Sequence, residues 1–460
     1  MLEDVVSQDD EAGLVAAIDA AAAEASAPQS VKAPAGPRSV TFLVGVLAGG
    51  NVASSALRML GGILQARLTP PAVLGLFNGI GLVLGYTRFL QLGILNGLNR
   101  ELPYFIGQGD HKRTNELAAA AAAWAILLGG VVGLGLGGVS LWCLIRGEWW
   151  LAAGWAANAV AAFIFFYGTM YLQATYRTTH DFARLSVVNV VQSAVALVLV
   201  GLIALMSFYG LCLRAAFSGL IGLAILYYWR PLRVSPRWNW RDLRHLLIIG
   251  LPIFGVGELA AFLTTFDSTL VLHYLGKEGM GLYAMVLVAG TTLELLPLAV
   301  GQVMYPRMAE HYGRTHNLAT MMTMTIKPSL CLVAGMVPLV VVAWILAGPL
   351  TRLILPKYVE AIPAMQWNLL LPFVLSFTCV HNVYNICRRQ DLYAIAILIS
   401  MAAYAGAVVW LNRNGAYLAA FPQSLLVGRI VYVLGGYAFL VPLYRSWRLD
   451  QSREPGAVSK

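Results

Sequence analysis

Twelve uninterrupted apolar runs, each about twenty residues long, limit what this chain can become. Their approximate limits are 40–66, 73–97, 117–144, 149–173, 185–207 and 209–229, then 246–273, 281–303, 326–350, 362–385, 391–411 and 418–443. Lipid offers no water to satisfy free backbone N–H and C=O groups, so a run of this length crosses as a helix. The runs do not alternate apolar and polar residues as barrel strands do. Only 12% of the 460 residues are charged, against about 25% in a soluble domain. The expected fold class is therefore an all-α integral membrane protein with about 12 transmembrane helices.

The chain also repeats itself. Arg214 and Arg429 are 215 residues apart, and the same offset carries Arg230 to Arg445 and Arg233 to Arg448. The run GLFNGIGLVLGYTR at 75–88 lies over GLYAMVLVAGTTLE at 281–294. These correspondences predict two pseudo-symmetric six-helix lobes around a central cavity. The expected division is an acidic, Ala-rich tail at 1–38, an N-terminal lobe at 39–229, a basic linker at 230–245, a C-terminal lobe at 246–445 and a second tail at 446–460.

Charge sets the expected orientation. Of the 31 cations, four lie inside apolar runs and six (Arg67, Arg146, Lys277, Arg352, Lys357, Arg413) lie on one set of connections. The remaining 21 lie on the tails and the other connections, so both termini are expected on the cytoplasmic side. The net charge of +9 is thereby explained without nucleic acid. Residues 1–36 lack a basic n-region and are not read as a signal peptide. The linker WRPLRVSPRWNWRDLRH carries five arginines and reads as stop-transfer charge with an interfacial helix anchored by Trp238 and Trp240.

Four arginines, Arg58, Arg88, Arg214 and Arg429, sit inside the apolar runs. Each costs roughly 3 kcal/mol at mid-bilayer, so each is expected to face the bundle interior or a watery cavity. Asn51, Ser55, Arg58 and Gln65 share one face of the first helix, and Gln91 lies one turn from Arg88. The four arginines with Asn51, Ser55 and Gln91 are the candidate anion-binding set. The second half carries Glu258, Asp267 and Glu294. By register Asp267 corresponds to Arg58, and Glu294 to Arg88. These carboxylates are candidate ion-coupling sites; a buried one such as Asp267 is equally well read as a structural partner of an arginine. His273 and His381, near helix ends, read as interfacial or structurally bonded.

The sequence contains no Walker motif, nucleophile elbow or metal-ligand spacing. The five cysteines read as packing residues, so no cofactor or metal is expected.

Residues 249–315 carry GLPIFGVGELAAFLTTFDSTLVLHYLGKEGMGLYAMVLVAG and then LPLAVGQVMYPRMAEHYGRT. The first half adds ARLTPPAVLGLFN and LGILNGLNRELPYFIGQGD. Together they resemble the polysaccharide-transport branch of the multidrug/oligosaccharidyl-lipid/polysaccharide flippase superfamily. That resemblance implies alternating access and no enzymatic step. It also implies translocation of an undecaprenyl-pyrophosphate-linked oligosaccharide for cell-surface polysaccharide such as O-antigen or exopolysaccharide. Proton or sodium coupling, membrane lipids, and polymerase and glycosyltransferase partners follow from the same resemblance. It assigns function residue by residue only to Arg58 and to Asp267. Two other readings stand beside it. A cation-coupled multidrug exporter would favour carboxylates over arginines. A polysaccharide polymerase or ligase would need a sizeable external loop, and no connection exceeds about 20 residues.

Overall fold

The computed structural model describes residues 40–453 apart from 180, 316–317, 378–379, 388 and 414, with side chains described between residues 49 and 445 save for scattered positions. The tail at 1–38 and the side chains of 446–460 lie outside the described residues. All the described regular structure is helical. Eight helices among the described residues are long and apolar enough to cross a membrane, or nine with the bent pair Trp240–Gly255 and Gly257–Thr291. The chain is a multi-pass membrane protein.

The helices follow the apolar runs. Span 1 is Val40–Leu68 and span 2 begins at Pro71–Thr87. Pro70 is extended, and Pro71 opens span 2 where a missing N–H costs nothing. Span 2 then tightens into a 3₁₀ turn at Arg88–Gln91 and resumes at Ile94–Gly107. Span 3, His111–Ile145, is capped by Asp110, whose Oδ1 accepts from the Arg113 backbone N–H at 2.9 Å. Span 4 runs from Trp149 and holds a π-helical stretch at Ile164–Leu172. It meets span 3 at small residues, where a Cβ added at Gly129 would lie 3.1 Å from Phe163 Cα and one added at Gly133 3.2 Å from the Ala159 carbonyl oxygen. Span 5 is Phe182–Val198 and span 6 is Phe208–Tyr228.

The second half begins with one long helical run, Trp240–Thr315, broken at Gly276, where φ is +65°. The parts before and after that glycine are spans 7 and 8. Span 9 is Leu318–Ile354, span 11 Gln390–Asn412 and span 12 Ala420–Arg453. The run expected as one helix at 362–385 is instead broken, with three short helices among the described residues, Ile362–Asn368, Leu371–Leu375 and His381–Ile386. Pro372 removes a helical N–H at the second of these. Asn368 Nδ2 donates to the Val286 carbonyl at 2.7 Å, which fastens this broken span 10 to span 8.

Span 2 lies along spans 7 and 8 while its other side packs on the first-half helices. A Cβ at Gly75 would come within 1.6 Å of the Lys277 carbonyl oxygen, and one at Gly97 within 2.2 Å of the Leu246 carbonyl oxygen. Tyr86 and Thr269 share a 2.6 Å hydrogen bond between these points, and Glu101 meets His245 at 3.0 Å. Two buried clusters flank this seam. One gathers Leu98, Leu117, Tyr171, Leu185 and Leu243. The other gathers Leu74, Val271, Tyr283, Tyr404 and Phe421.

Candidate functional site

The four intramembrane arginines fall into two groups. Arg88 closes on Glu258 of span 7. Its Nε lies 2.6 Å from Oε2 and its Nη2 donates to Oε1 at 3.1 Å, a two-point contact with a carboxylate that is 7% exposed. Arg429 of span 12 makes no ion pair or hydrogen bond with Glu294 of span 8, its register-related carboxylate, among the contacts of the described residues. Of these two, only Arg88 is matched by a carboxylate in direct contact.

Arg58 and Arg214 meet only neutral groups among the described residues. Arg58 Nε donates to Ser193 Oγ of span 5 at 3.1 Å, and that hydroxyl donates to the Asn189 carbonyl at 2.7 Å. Arg214 of span 6 donates from Nε to the Ala196 carbonyl at 2.7 Å and from Nη1 to Gln65 Oε1 of span 1. Gly61 lets it approach, since a Cβ there would lie 3.1 Å from Arg214 Nη2. Gly61 is one turn from Arg58, so both guanidinium groups converge on one stretch of span 1. Arg58 remains exposed and Arg214 half-buried. Of the other members of the expected anion-binding set, Ser55 is half-buried on the same helix, and the side chain of Asn51 lies outside the described residues.

Gln91 has a different setting. It is 1% exposed, and neither its amide oxygen nor its nitrogen finds a partner among the described residues. It ends the 3₁₀ turn that Arg88 opens, just before Leu92 and Gly93 turn left-handed at φ +52° and +84°. Gly93 is required here, because a Cβ would also come within 2.7 Å of the Gly250 backbone. Span 7 bends by 46° between Gly255 and Gly257, opposite this turn. Phe89 packs edge-on against Phe254 beside the bend, with ring centroids 6.1 Å apart.

Asp267 is fully buried on span 7. Its carboxylate accepts from the Tyr283 hydroxyl of span 8 and from the Tyr404 hydroxyl of span 11 at 2.8 Å. Neither bond involves an arginine. The structure therefore separates carboxylates read as one class: Glu258 is paired with an arginine, and Asp267 is held by two phenols. His381 stacks face to face on Tyr432 at 3.9 Å, and His273 is exposed near the end of span 7. Sequence reasoning did not find Ser193, Tyr283 or Tyr404. A hydroxyl on an apolar helix carries no periodic signal of its own.

Residues 156–363 match a family model described as a polysaccharide biosynthesis protein. No curated protein matches the chain. Among solved structures, the chain is similar to an inward-facing multidrug resistance MATE family transporter of the MOP superfamily, with a TM-score of 0.71 and 14% identity over 86% of this chain and 95% of that one. An outward-facing MATE family transporter gives 0.60 and 17% identity over 88% and 98%. A MOP superfamily transporter from Pyrococcus furiosus, described as having a binding pocket of reversed polarity, gives 0.62 and 16% identity over 90% and 96%. The fold is that of a MOP superfamily transporter. The resemblance read from residues 249–315 is borne out: those residues lie inside the family match, and the MOP fold extends over most of the chain. In this MOP fold, the charged groups that sequence alone placed at matching depths are divided between paired and unpaired settings.

Proposed function

We propose that the protein flips an undecaprenyl-pyrophosphate-linked oligosaccharide from the inner to the outer leaflet of a bacterial inner membrane, by alternating access between two six-helix lobes. The observation that carries this reading is the pair Arg58 and Arg214, whose positive charges meet no carboxylate among the described residues. A membrane protein keeps two such cations where an anion or water balances them. A pyrophosphate carries about two negative charges and offers oxygens that match the guanidinium fork. The hydroxyl and amide groups around them, Ser193 and Gln65, would hold the forks in place while sugars occupy the polar face of span 1. The polysaccharide biosynthesis match supports the glycan side of this reading.

Asp267 is proposed as the coupling site. As a carboxylate it accepts from both Tyr283 and Tyr404; once protonated, it must donate at one oxygen, and one tyrosine bond has to reverse or break. That change would be felt by spans 7, 8 and 11 together. Proton and sodium coupling both fit this site. Arg88 and Glu258 are assigned as a matched pair that holds helices together, with Gln91 beside it, and Arg429 and Glu294 carry no assigned role. On this reading both termini are cytoplasmic, the protein performs no enzymatic step, and glycosyltransferases and a glycan polymerase work before and after it.

The test is glycan export in cells producing Arg58→Ala, Arg214→Ala and the double variant at matched membrane levels. Loss of export in the double variant, with partial rescue by lysine at both positions, is expected. Full export by the double variant removes the basis of the reading. Drug efflux that requires Asp267 would favour the multidrug exporter instead.

A further inference from the structure

At the linker end of the bundle, a cavity of about 590 Å³ opens between span 3 and the start of span 7. Arg113 and Glu116 line it from span 3, Arg237 and Asn239 from the linker, and Arg241 and Asp242 from the first turn of span 7. Its acidic charge is already engaged. Arg113 Nη1 donates to Asp242 Oδ1 at 2.6 Å and to Glu116 Oε2 at 3.2 Å, while Asn239 Nδ2 donates to Asp242 Oδ2 at 2.7 Å. Both oxygens of the buried Asp242 are therefore satisfied. The Arg237 backbone N–H is held by the Ala119 carbonyl at 3.1 Å, which fixes the linker against span 3 and leaves the Arg237 side chain on the cavity wall. Neither the Arg237 nor the Arg241 guanidinium has a hydrogen bond or ion pair among the described residues. Arg241 also stands in the first turn of its helix, where the macrodipole disfavours a cation, so helix stability does not explain it.

We propose that this cavity binds the phosphodiester headgroup of an anionic inner-leaflet lipid, gripped by Arg237 and Arg241. Two uncommitted guanidinium forks supply bidentate phosphate recognition. The helix N-terminus adds to the same preference. Depth identifies the source of the phosphate. Trp238 and Trp240 flank Asn239 with exposures of 51% and 61%, and Trp238 lies 6.0 Å from Trp124. Exposed indoles of this kind lie at headgroup level in membrane proteins, so the cavity mouth meets the bilayer surface. A bound headgroup would tie span 3 to the start of span 7 across the linker. The site is independent of the transported substrate, and its test does not read transport.

The full-length protein, purified in a neutral detergent, is titrated with short-chain phosphatidylglycerol while tryptophan emission and the unfolding midpoint are followed. Phosphatidylcholine of the same chain length and inorganic phosphate serve as separate arms. Phosphatidylglycerol alone is expected to shift the emission and raise the midpoint. Half-saturation should weaken at least about tenfold in the Arg237→Ala, Arg241→Ala variant, and less in Arg237→Lys, Arg241→Lys, which keeps the charges and guards against a folding artefact. Arg244→Ala, an arginine of span 7 that does not line the cavity, should titrate as the unaltered protein does. The proposal fails if the double alanine variant responds unchanged, or if Arg244→Ala loses as much, which would mark diffuse surface charge. Saturation by inorganic phosphate, with no further effect of lipid, would overturn the lipid as the source.

Discussion

The seam between the two halves and the contact of spans 1, 5 and 6 in the first half hold arginines in opposite ways. At the seam, Arg88 has a carboxylate at 2.6 Å, Glu258, on a neighbouring helix 170 positions away in sequence. In the first half, Arg58 and Arg214 are oriented by a hydroxyl, an amide and a carbonyl. The seam pair is electrically complete and has no charge left for a ligand. The first-half pair is geometrically fixed and electrically open. An arginine inside a membrane helix is thus no site by itself; what surrounds it decides whether it fastens helices or receives an anion.

The largest expected effect breaks the seam. Arg88→Ala or Glu258→Ala leaves a buried charge without its partner and should lower stability by about 3–5 kcal/mol. Replacing both together, as Arg88→Met with Glu258→Leu, should recover most of the loss. Unfolding midpoints of the three purified variants decide this. A single alanine variant as stable as the unaltered protein would mean that Arg88, too, is electrically open.

Next comes the first half. Arg58→Ala and Arg214→Ala should each weaken binding of a pyrophosphate-bearing ligand by about 2–5 kcal/mol, with a much smaller change in unfolding. If unfolding suffers as much as at Arg88, the distinction between the two regions disappears.

A backbone comparison follows. Gly93→Ala places a side chain at φ +84° against the Gly250 backbone and should cost about 1–3 kcal/mol. Gly130→Ala on span 3 has open space around it and should stabilise by up to about 1 kcal/mol. Thermal unfolding of the two variants side by side checks whether the seam is the tightly fitted region.

The smallest stability effect is expected at Asp267→Asn. The amide keeps one acceptor and can donate to the other phenol, so the loss should be about 1 kcal/mol, while transport should stop responding to the ion gradient. A large loss of stability with coupling intact would make Asp267 a structural anchor.

Much of the fold was legible in the sequence, because lipid imposes one rule on every backbone group. The apolar runs became helices, and Pro70, Asp110 and Gly276 mark boundaries for ordinary local reasons. The repeat read in the sequence set Arg58 against Asp267 and Arg88 against Glu294 by register alone. Side-chain pairing does not follow register. Arg88 found Glu258 through the close fit of span 2 on span 7, made by Gly93, Gly97 and Gly250, which a single sequence presents only as small residues. Asp267 found Tyr404, 137 residues away, and span 10 broke where an apolar run predicted continuity. Such partners are decided by packing in three dimensions and leave no spacing to read.

The central claim is that Arg58 and Arg214, and not Arg88, receive the pyrophosphate. Its most direct test is equilibrium binding of undecaprenyl pyrophosphate to purified protein in lipid nanodiscs, measured for the Arg58→Ala, Arg214→Ala variant and for the charge-free Arg88→Met, Glu258→Leu variant. The account predicts that the first loses binding by more than about tenfold while the second binds as the unaltered protein does. Retained binding in the first, or an equal loss in the second, would contradict it.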